Sequence, residues 1–435
     1  MSNENFKIAN IGDSPKKTSG FAQVTRQLYQ TQYEAGFQVS ALGTMDLDYD
    51  TKRELPYVFW PSHMLDEMGH RTSYVFLKNI QPDLITLTYD PGNIDMFLEV
   101  ILKMQDKGDI KKCPIVVYTP IEGYPVPAST VFTFMKVLET GGRVILYSPG
   151  MVDLVTNQYP ELQGKLDWMY HGSDHANFRQ YPTEIRTKLR KYVGLDDYFV
   201  VGSVGVNKRT KGFDYIIYTA RYLKDMNMHH NIKFYLHTSK NKPTLLGYNL
   251  EDMAANYDVS EMILFKPEAD LEHGGNINGI PRDGDISRFI DNISMHNTAE
   301  GRKQLFGLYS YIDRMNCLDC YLDLSQVEGW GLPPMEAMKC GVPTLMVEDY
   351  SIRSEIFQGG VMWITPEPFR KWTTWQTGAK LVLVDPAEVA NTVLEFKDTE
   401  TKDFWSETAI VQANKYSWKE TGKKYIKIIN EVLGL

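Results

Sequence analysis

Short apolar, β-branched runs alternate with stretches of helical period along the whole chain. Phe6–Gly12 reads as a first strand, followed by a polar loop from Asp13 to Gly20 and a helix from about Phe21 to Ala35 that Gly36 stops. Phe37–Leu42, Leu84–Thr88, Ile115–Tyr118 and Val144–Tyr147 predict further strands. The pattern restarts after about Asp196. Tyr198–Val204 predicts a strand, and Lys211–Leu223 a loop entering a helix. Strands follow at Ile232–His237, Met262–Phe265, Cys320–Leu324 and Pro343–Val347. Strands separated by helices mean βαβ units and a mainly parallel sheet. A chain of 435 residues exceeds what one hydrophobic core serves, so two domains are expected. The charged, aromatic segment 180–197 is the expected linker between residues 1–179 and 198–415. The resulting fold class is α/β, two doubly wound domains facing each other across a cleft. Ligands in such sheets bind beyond the carboxyl ends of the strands, which directs attention to the loops after strands.

Composition narrows the class. Hydrophobic residues make up 43% and charged residues 23%, the balance of a soluble globular protein. No apolar run approaches the roughly 20 residues that span a bilayer. Met1–Asn10 lacks the basic flank and apolar stretch of a signal peptide, and a cytoplasmic protein is expected. The net charge is −9; residues up to Phe178 carry 15 Lys and Arg against 21 Asp and Glu, and the remainder 31 against 34. Neither half is a polycation, so wholesale binding to nucleic acid or an anionic membrane is not indicated. Four cysteines agree with a reducing compartment. Cys317 and Cys320 form a lone C-x-x-C without a second pair at zinc spacing, read as two small packing residues near a strand start.

The strongest motif is Ser325-Gln326-Val327-Glu328-Gly329-Trp330-Gly331-Leu332-Pro333-Pro334-Met335-Glu336-Ala337-Met338, directly after a predicted strand. Two glycines allow close backbone approach to a ligand, and the prolines suit a turn and a first helical turn. The helix would run to Lys339 or Cys340 and end at Gly341. Its N-terminus offers N–H groups and a positive dipole end to an anion. Glu328 and Glu336 stand eight residues apart, and a carboxylate accepting two hydrogen bonds suits a vicinal diol such as that of ribose.

This string resembles the E-x7-E signature of the retaining glycosyltransferases of family 4, which have the GT-B fold of two facing Rossmann-like domains. The resemblance implies that Glu328 contacts the donor sugar and that the segment Gly329, Trp330, Gly331 and Leu332 meets sugar or phosphate. It implies that Glu336 holds the ribose. A second stretch, Gly202–Phe213, is similar to the family's G-R-x-x-x-K-G: Lys211-Gly212 matches, while Val206 stands where the family has Arg. Lys208 or Arg209 is left to supply that charge to the donor diphosphate. Thr18-Ser19-Gly20-Phe21 corresponds to the family's N-terminal glycine loop, with Gly20 the matching residue. Tyr170-His171-Gly172-Ser173-Asp174 and Phe178 resemble a stretch before the linker, with His171 read as structural. Where many members carry a His after the strand at Ile115–Tyr118, this chain reads Thr119-Pro120-Ile121-Glu122-Gly123. Glu122 is the candidate for the positioning task, and Asp90 a weaker one for contact with the acceptor.

Ser351 to Glu355 looks like the family's S-x-x-x-E, and residues 416–435 like its C-terminal helix, which completes the N-terminal domain. Two stretches, 266–301 and 361–380, look longer than the pattern; the second interleaves Trp363, Phe369, Trp372 and Trp375 with Arg370 and Lys371. The resemblance implies metal-independent, retaining transfer from a nucleotide sugar, most simply a UDP-sugar, with no resident cofactor. The acceptor is open among saccharides, small molecules, proteins and the modified bases of phage DNA. A nucleotide-sugar epimerase of the same fold is the alternative.

Overall fold

The computed structural model describes residues 3–17, 19–45, 54–62, 66–173, 178–240, 247–265, 311–348, 353–367, 372–373 and 380–435. Thr18, Asp174, Ser351, the stretch 266–301 and Phe369, Arg370, Lys371 and Trp375 lie outside them. The described residues form two compact units, one of residues up to Ser173 with Tyr416–Leu435, the other of Phe178–Thr373 with Lys380–Lys415.

The first unit holds a parallel sheet of β1 (Lys7–Asp13), β2 (Gln38–Thr44), β3 (Val58–Pro61), β4 (Leu84–Thr88), β5 (Ile115–Thr119), β6 (Arg143–Leu146) and β7 (Leu166–Trp168). Their order across the sheet is β3-β2-β1-β4-β5-β6-β7. Helices α1 (Gly20–Glu34), α2 (His70–Ile80), α3 (Pro91–Lys107), α4 (Ala128–Glu139) and α5 (Pro149–Gln158) connect the strands. β4 and β5 are buried along their whole length, the mark of strands covered on both faces. Local chemistry sets the helix ends. Ser19 caps α1 by accepting from the Ala22 N–H at 3.1 Å, and Gly36, at φ +89°, follows its end.

The second unit repeats the architecture with β8 (Phe199–Val204), β9 (Ile232–His237), β10 (Ile263–Phe265), β11 (Cys320–Asp323), β12 (Thr344–Val347) and β13 (Met362–Ile364). The order is β10-β9-β8-β11-β12-β13, again parallel. Around it lie α6 (Thr183–Tyr192), α7 (Phe213–Asp225), α8 (Leu250–Asn256), α9 (Tyr311–Asn316), α10 (Leu332–Lys339), α11 (Arg353–Phe357), α12 (Pro386–Glu395) and α13 (Thr399–Ala413). Period-two alternation splits the strands between two cores. Val201, Phe234 and Leu322 face one side, and Val200, Tyr235 and Tyr321 the other.

The C-terminal helix α14 (Trp418–Leu433) packs in the first unit. Tyr425 Oη accepts from Gln32 Nε2 of α1 at 3.0 Å, and Thr421 Oγ1 donates to the Tyr170 carbonyl at 2.9 Å. Gly172 is glycine for a steric reason: a Cβ there would lie 2.1 Å from the Trp418 nitrogen.

Three expectations are corrected or refined. The segment 180–197 is not an open linker: it contains α6, whose Leu189 is fully buried among Val200, Leu318 and Ala337. Two of its charges, those of Arg186 and Arg190, turn into the second unit. Arg186 Nη2 lies 2.8 Å and Arg190 Nη1 3.0 Å from the Asp319 carboxylate, which also accepts the Val200 N–H at 2.9 Å. Arg190 and Asp319 side chains are both 8% exposed. Removing one partner strands the other, so Asp319→Ala is expected to cost about 3–5 kcal/mol in denaturant unfolding. Within the stretch 361–380, Trp363 lies in β13, and Trp372 belongs to a two-residue strand paired antiparallel with Lys380–Leu381. Cys317 and Cys320 are buried in different cores, one on each face of the sheet. Burial pushes the Cys317 thiol up to about 12 and raises Cys320 well above its ordinary value. Burial also raises Cys113 to about 11 and Cys340 to about 12. The folded protein is therefore expected to leave a disulfide thiol probe unreacted at pH 8, with four thiols appearing on unfolding. Rapid native labelling would contradict these placements.

Candidate active site

Each sheet reverses its strand order once, between β1 and β4 in the first and between β8 and β11 in the second. Adjacent loops diverge there and open a crevice for ligands. The loops flanking the second reversal are the two that carry the sequence motifs, Gly205–Gly212 after β8 and Ser325–Gly331 after β11.

These loops are joined by backbone contacts. The Gln326 N–H donates to the Thr210 carbonyl at 2.7 Å. Gly212, at φ +68°, sits where a Cβ would be 2.3 Å from the Leu324 carbonyl oxygen, so only glycine permits this approach. The junction places Lys211 against Glu328, and Lys211 Nζ donates to Glu328 Oε2. Their side chains keep 22% and 23% exposure, half-buried but within reach of a ligand. Burial works against the Lys211 ammonium, but Glu328 and Asp323 outweigh it and raise its pKa above 10.5. The stabilisation Lys211 gains from these anions is full below its ordinary pKa and fades only as the pH rises through the raised value.

Gly331 stands at φ +98° as the residue before α10, and a Cβ on it would lie 3.1 Å from Pro334. The helix terminus is a narrower anion site than a generic one. Pro333 and Pro334 occupy its first turn and have no N–H, which leaves Leu332 as the donor among the first three helical residues. Trp330 is 3% exposed, so what this residue offers a ligand is chiefly backbone. Glu336, in the second turn of α10, is 2% exposed. Its Oε2 accepts from Tyr311 Oη at 2.8 Å. The Tyr311 ring lies 5.0 Å from that of His237, whose Nδ1 meets Tyr235 Oη at 2.9 Å.

The second unit therefore brings Lys211 and Glu328 into contact, and Gly329, Trp330, Gly331 and Leu332 continue the Glu328 loop into α10, which carries Glu336. Arg209 is in the Lys211 loop, but its guanidinium rests over the Tyr248 ring at 5.6 Å. Lys208 is exposed, and so is Val206, at the position where the resemblance calls for Arg. Gly20 and Glu122 belong to the other unit, both exposed, at the start of α1 and after β5. Asp90 caps α3, its two oxygens accepting from the Asn93 N–H at 3.1 Å and Asn93 Nδ2 at 2.7 Å. Asp13, at the end of β1, accepts from Ser19 Oγ at 2.7 Å, and burial raises its pKa. His171 is buried, with Nδ1 2.7 Å from Tyr118 Oη. That hydroxyl donates to the Met169 carbonyl at 2.9 Å, so Nδ1 carries the proton that His171 gives to Tyr118.

Three residues of this region escaped the sequence reading: Tyr311, Asp323 and Arg353. A signal existed for Asp323, a carboxylate inside the apolar run Cys320–Leu324 that needs a buried cation. Arg353 Nη1 is that cation, 3.2 Å from Asp323 Oδ2. Among the described residues no group of three or more His, Cys, Asp or Glu gathers as metal ligands, and no helix is long and apolar enough to cross a membrane.

No family model and no curated protein matches the chain. Solved structures do. The Anabaena protein Alr3699/HepE, crystallised with UDP-glucose, is similar over 98% of this chain and 100% of its own, at TM-score 0.62 and 14% identity. Sucrose-phosphate synthase from Thermosynechococcus elongatus is similar over 99% and 100%, at TM-score 0.66 and 13% identity. TarM is similar over 98% and 99%, at TM-score 0.63 and 10% identity. The chain thus has the fold of the GT-B glycosyltransferases, two Rossmann-like domains each built on a parallel sheet.

Proposed function

We propose that the protein transfers a sugar from a nucleoside-diphosphate sugar to an acceptor hydroxyl, with retention of anomeric configuration and without a metal. The observation that carries this reading is the Lys211–Glu328 pair held at the strand-order reversal, with Glu336 buried one helical turn beyond the glycine turn. Of the structurally similar proteins, one was crystallised with UDP-glucose, which makes UDP the first nucleotide to try. In this reading Lys211 and the Leu332 N–H face the diphosphate, Glu328 the sugar and Glu336 the ribose. The bond from the anomeric carbon to the diphosphate oxygen breaks as the acceptor oxygen bonds on the same face. The acceptor proton passes to the departing phosphate oxygen. The protein contributes orientation and a fixed cation where negative charge grows, and no strong base is needed.

A thermal-shift panel with UDP, GDP, ADP, CMP and NAD tests the donor site, with Glu336→Ala as control. A ligand at about 100 times its dissociation constant adds roughly 2.7 kcal/mol to the folded state. A shift with one nucleoside diphosphate that the variant loses is expected; a shift with NAD alone would sink the reading. Incubation of the matching sugar nucleotide without acceptor separates transfer from epimerisation. A DNA acceptor would bind with steep salt dependence, because phosphate contacts release counterions.

A further inference from the structure

The loop that carries Glu328 is held from below by a buried ion pair. Asp323, the last residue of β11, is 6% exposed, and Arg353, the first residue of α11, is fully buried. Asp323 Oδ1 accepts the Ser325 N–H at 2.9 Å, and Asp323 Oδ2 accepts from Arg353 Nη1 at 3.2 Å. Arg353 Nη2 donates to the Ser325 carbonyl at 2.7 Å and to the Val347 carbonyl at 3.3 Å. Ser325, the first residue of the loop, thus has both backbone polar groups tied to one ion pair. The same guanidinium reaches the end of β12. Its planar fork suits three acceptors at fixed angles in a way an ammonium does not.

This pair also acts on Lys211. Arg353 and Lys211 are the two cations that draw on the buried Asp323 carboxylate, and both hold its pKa down against burial. Without Arg353, Asp323 would keep a desolvated charge with Lys211 as its remaining cation, and Lys211 would be drawn inward. We propose that Arg353 is a positioning residue of the donor site: by satisfying Asp323 it leaves Lys211 turned to the donor diphosphate and Glu328 to the sugar. This rests on the donor-site reading above.

The test uses UDP and UMP as probes in equilibrium binding to the full chain. The two nucleotides differ by the phosphate that Lys211 would hold. Arg353→Met is expected to weaken UDP at least about tenfold while UMP stays within about twofold. Adding Asp323→Asn removes the uncompensated carboxylate, and the double variant is expected to regain UDP affinity to within about threefold of wild type. Equal loss of both nucleotides would mean a merely structural role, and failure of Asp323→Asn to restore UDP would overturn the charge argument. If Arg353→Met does not fold, Arg353→Lys and the double variant decide. Both should keep the wild-type preference for UDP over UMP, and its loss in either overturns the proposal. If the wild-type chain binds another nucleoside diphosphate of the panel in place of UDP, that diphosphate and its monophosphate serve as the probes; a chain that binds none of them fails the donor reading and takes this proposal with it.

Discussion

Glu328→Gln is expected to lower the turnover of the sugar nucleotide by about 10²–10³-fold, the scale of removing one preorganised electrostatic contact. It should do so without weakening nucleoside diphosphate binding. The second half of this expectation comes from the ion pair. Glu328 Oε2 takes a hydrogen bond from Lys211 Nζ, so the carboxylate competes with a diphosphate for the same ammonium. The amide keeps the shape and gives up the charge, which leaves Lys211 freer for phosphate. A half-exposed pair is worth up to about 1 kcal/mol, so the diphosphate should bind up to about fivefold tighter. Lys211→Met removes the cation itself and should weaken binding and turnover together. Titration calorimetry with the diphosphate, beside initial rates, checks both variants. Tenfold weaker binding in Glu328→Gln would show that Glu328 serves the nucleotide and not the sugar.

Glu336→Ala is expected to weaken nucleoside diphosphate binding about 10–100-fold, because hydrogen bonds to a charged group contribute about 1.5–3 kcal/mol. Geometry makes this carboxylate specific. It is buried, and Tyr311 Oη holds Oε2 at 2.8 Å, which restrains its rotation. A ribose diol would then meet a pre-oriented acceptor. The 2′-deoxynucleotide separates this role from simple packing. Wild type should prefer the ribonucleotide, and Glu336→Ala should bind the two alike. Tyr311→Phe should cost less, since it loosens the carboxylate without removing it. Unchanged ribose preference in Glu336→Ala would end the assignment of the ribose to this residue.

Legibility varied with the physics of each element. Leu84–Thr88 and Ile232–His237 were read with the observed bounds, because apolar and β-branched residues dominate both strands. The edge strands β3 and β7 and the edge strand β13 were not read. Their three or four residues are mostly half-exposed and make no run to recognise. The segment 180–197 was misread because its charge suggested solvent, whereas Asp319, more than 120 residues on, buries Arg190 in an ion pair.

The sequence by itself determined the class of the fold and nominated residues for the site. Alternating period, glycines before helices and the order of acidic residues after a strand are local properties that one stretch of chain displays alone. Only the tertiary structure decided which charges meet. Lys211 reaches Glu328 because Gly212 lets its turn press on Leu324. Arg209 turns to Tyr248, and Arg353 is buried beneath the loop. Each of these depends on which strands lie side by side, and strand order in a parallel sheet is set by packing across long crossovers that no local pattern encodes.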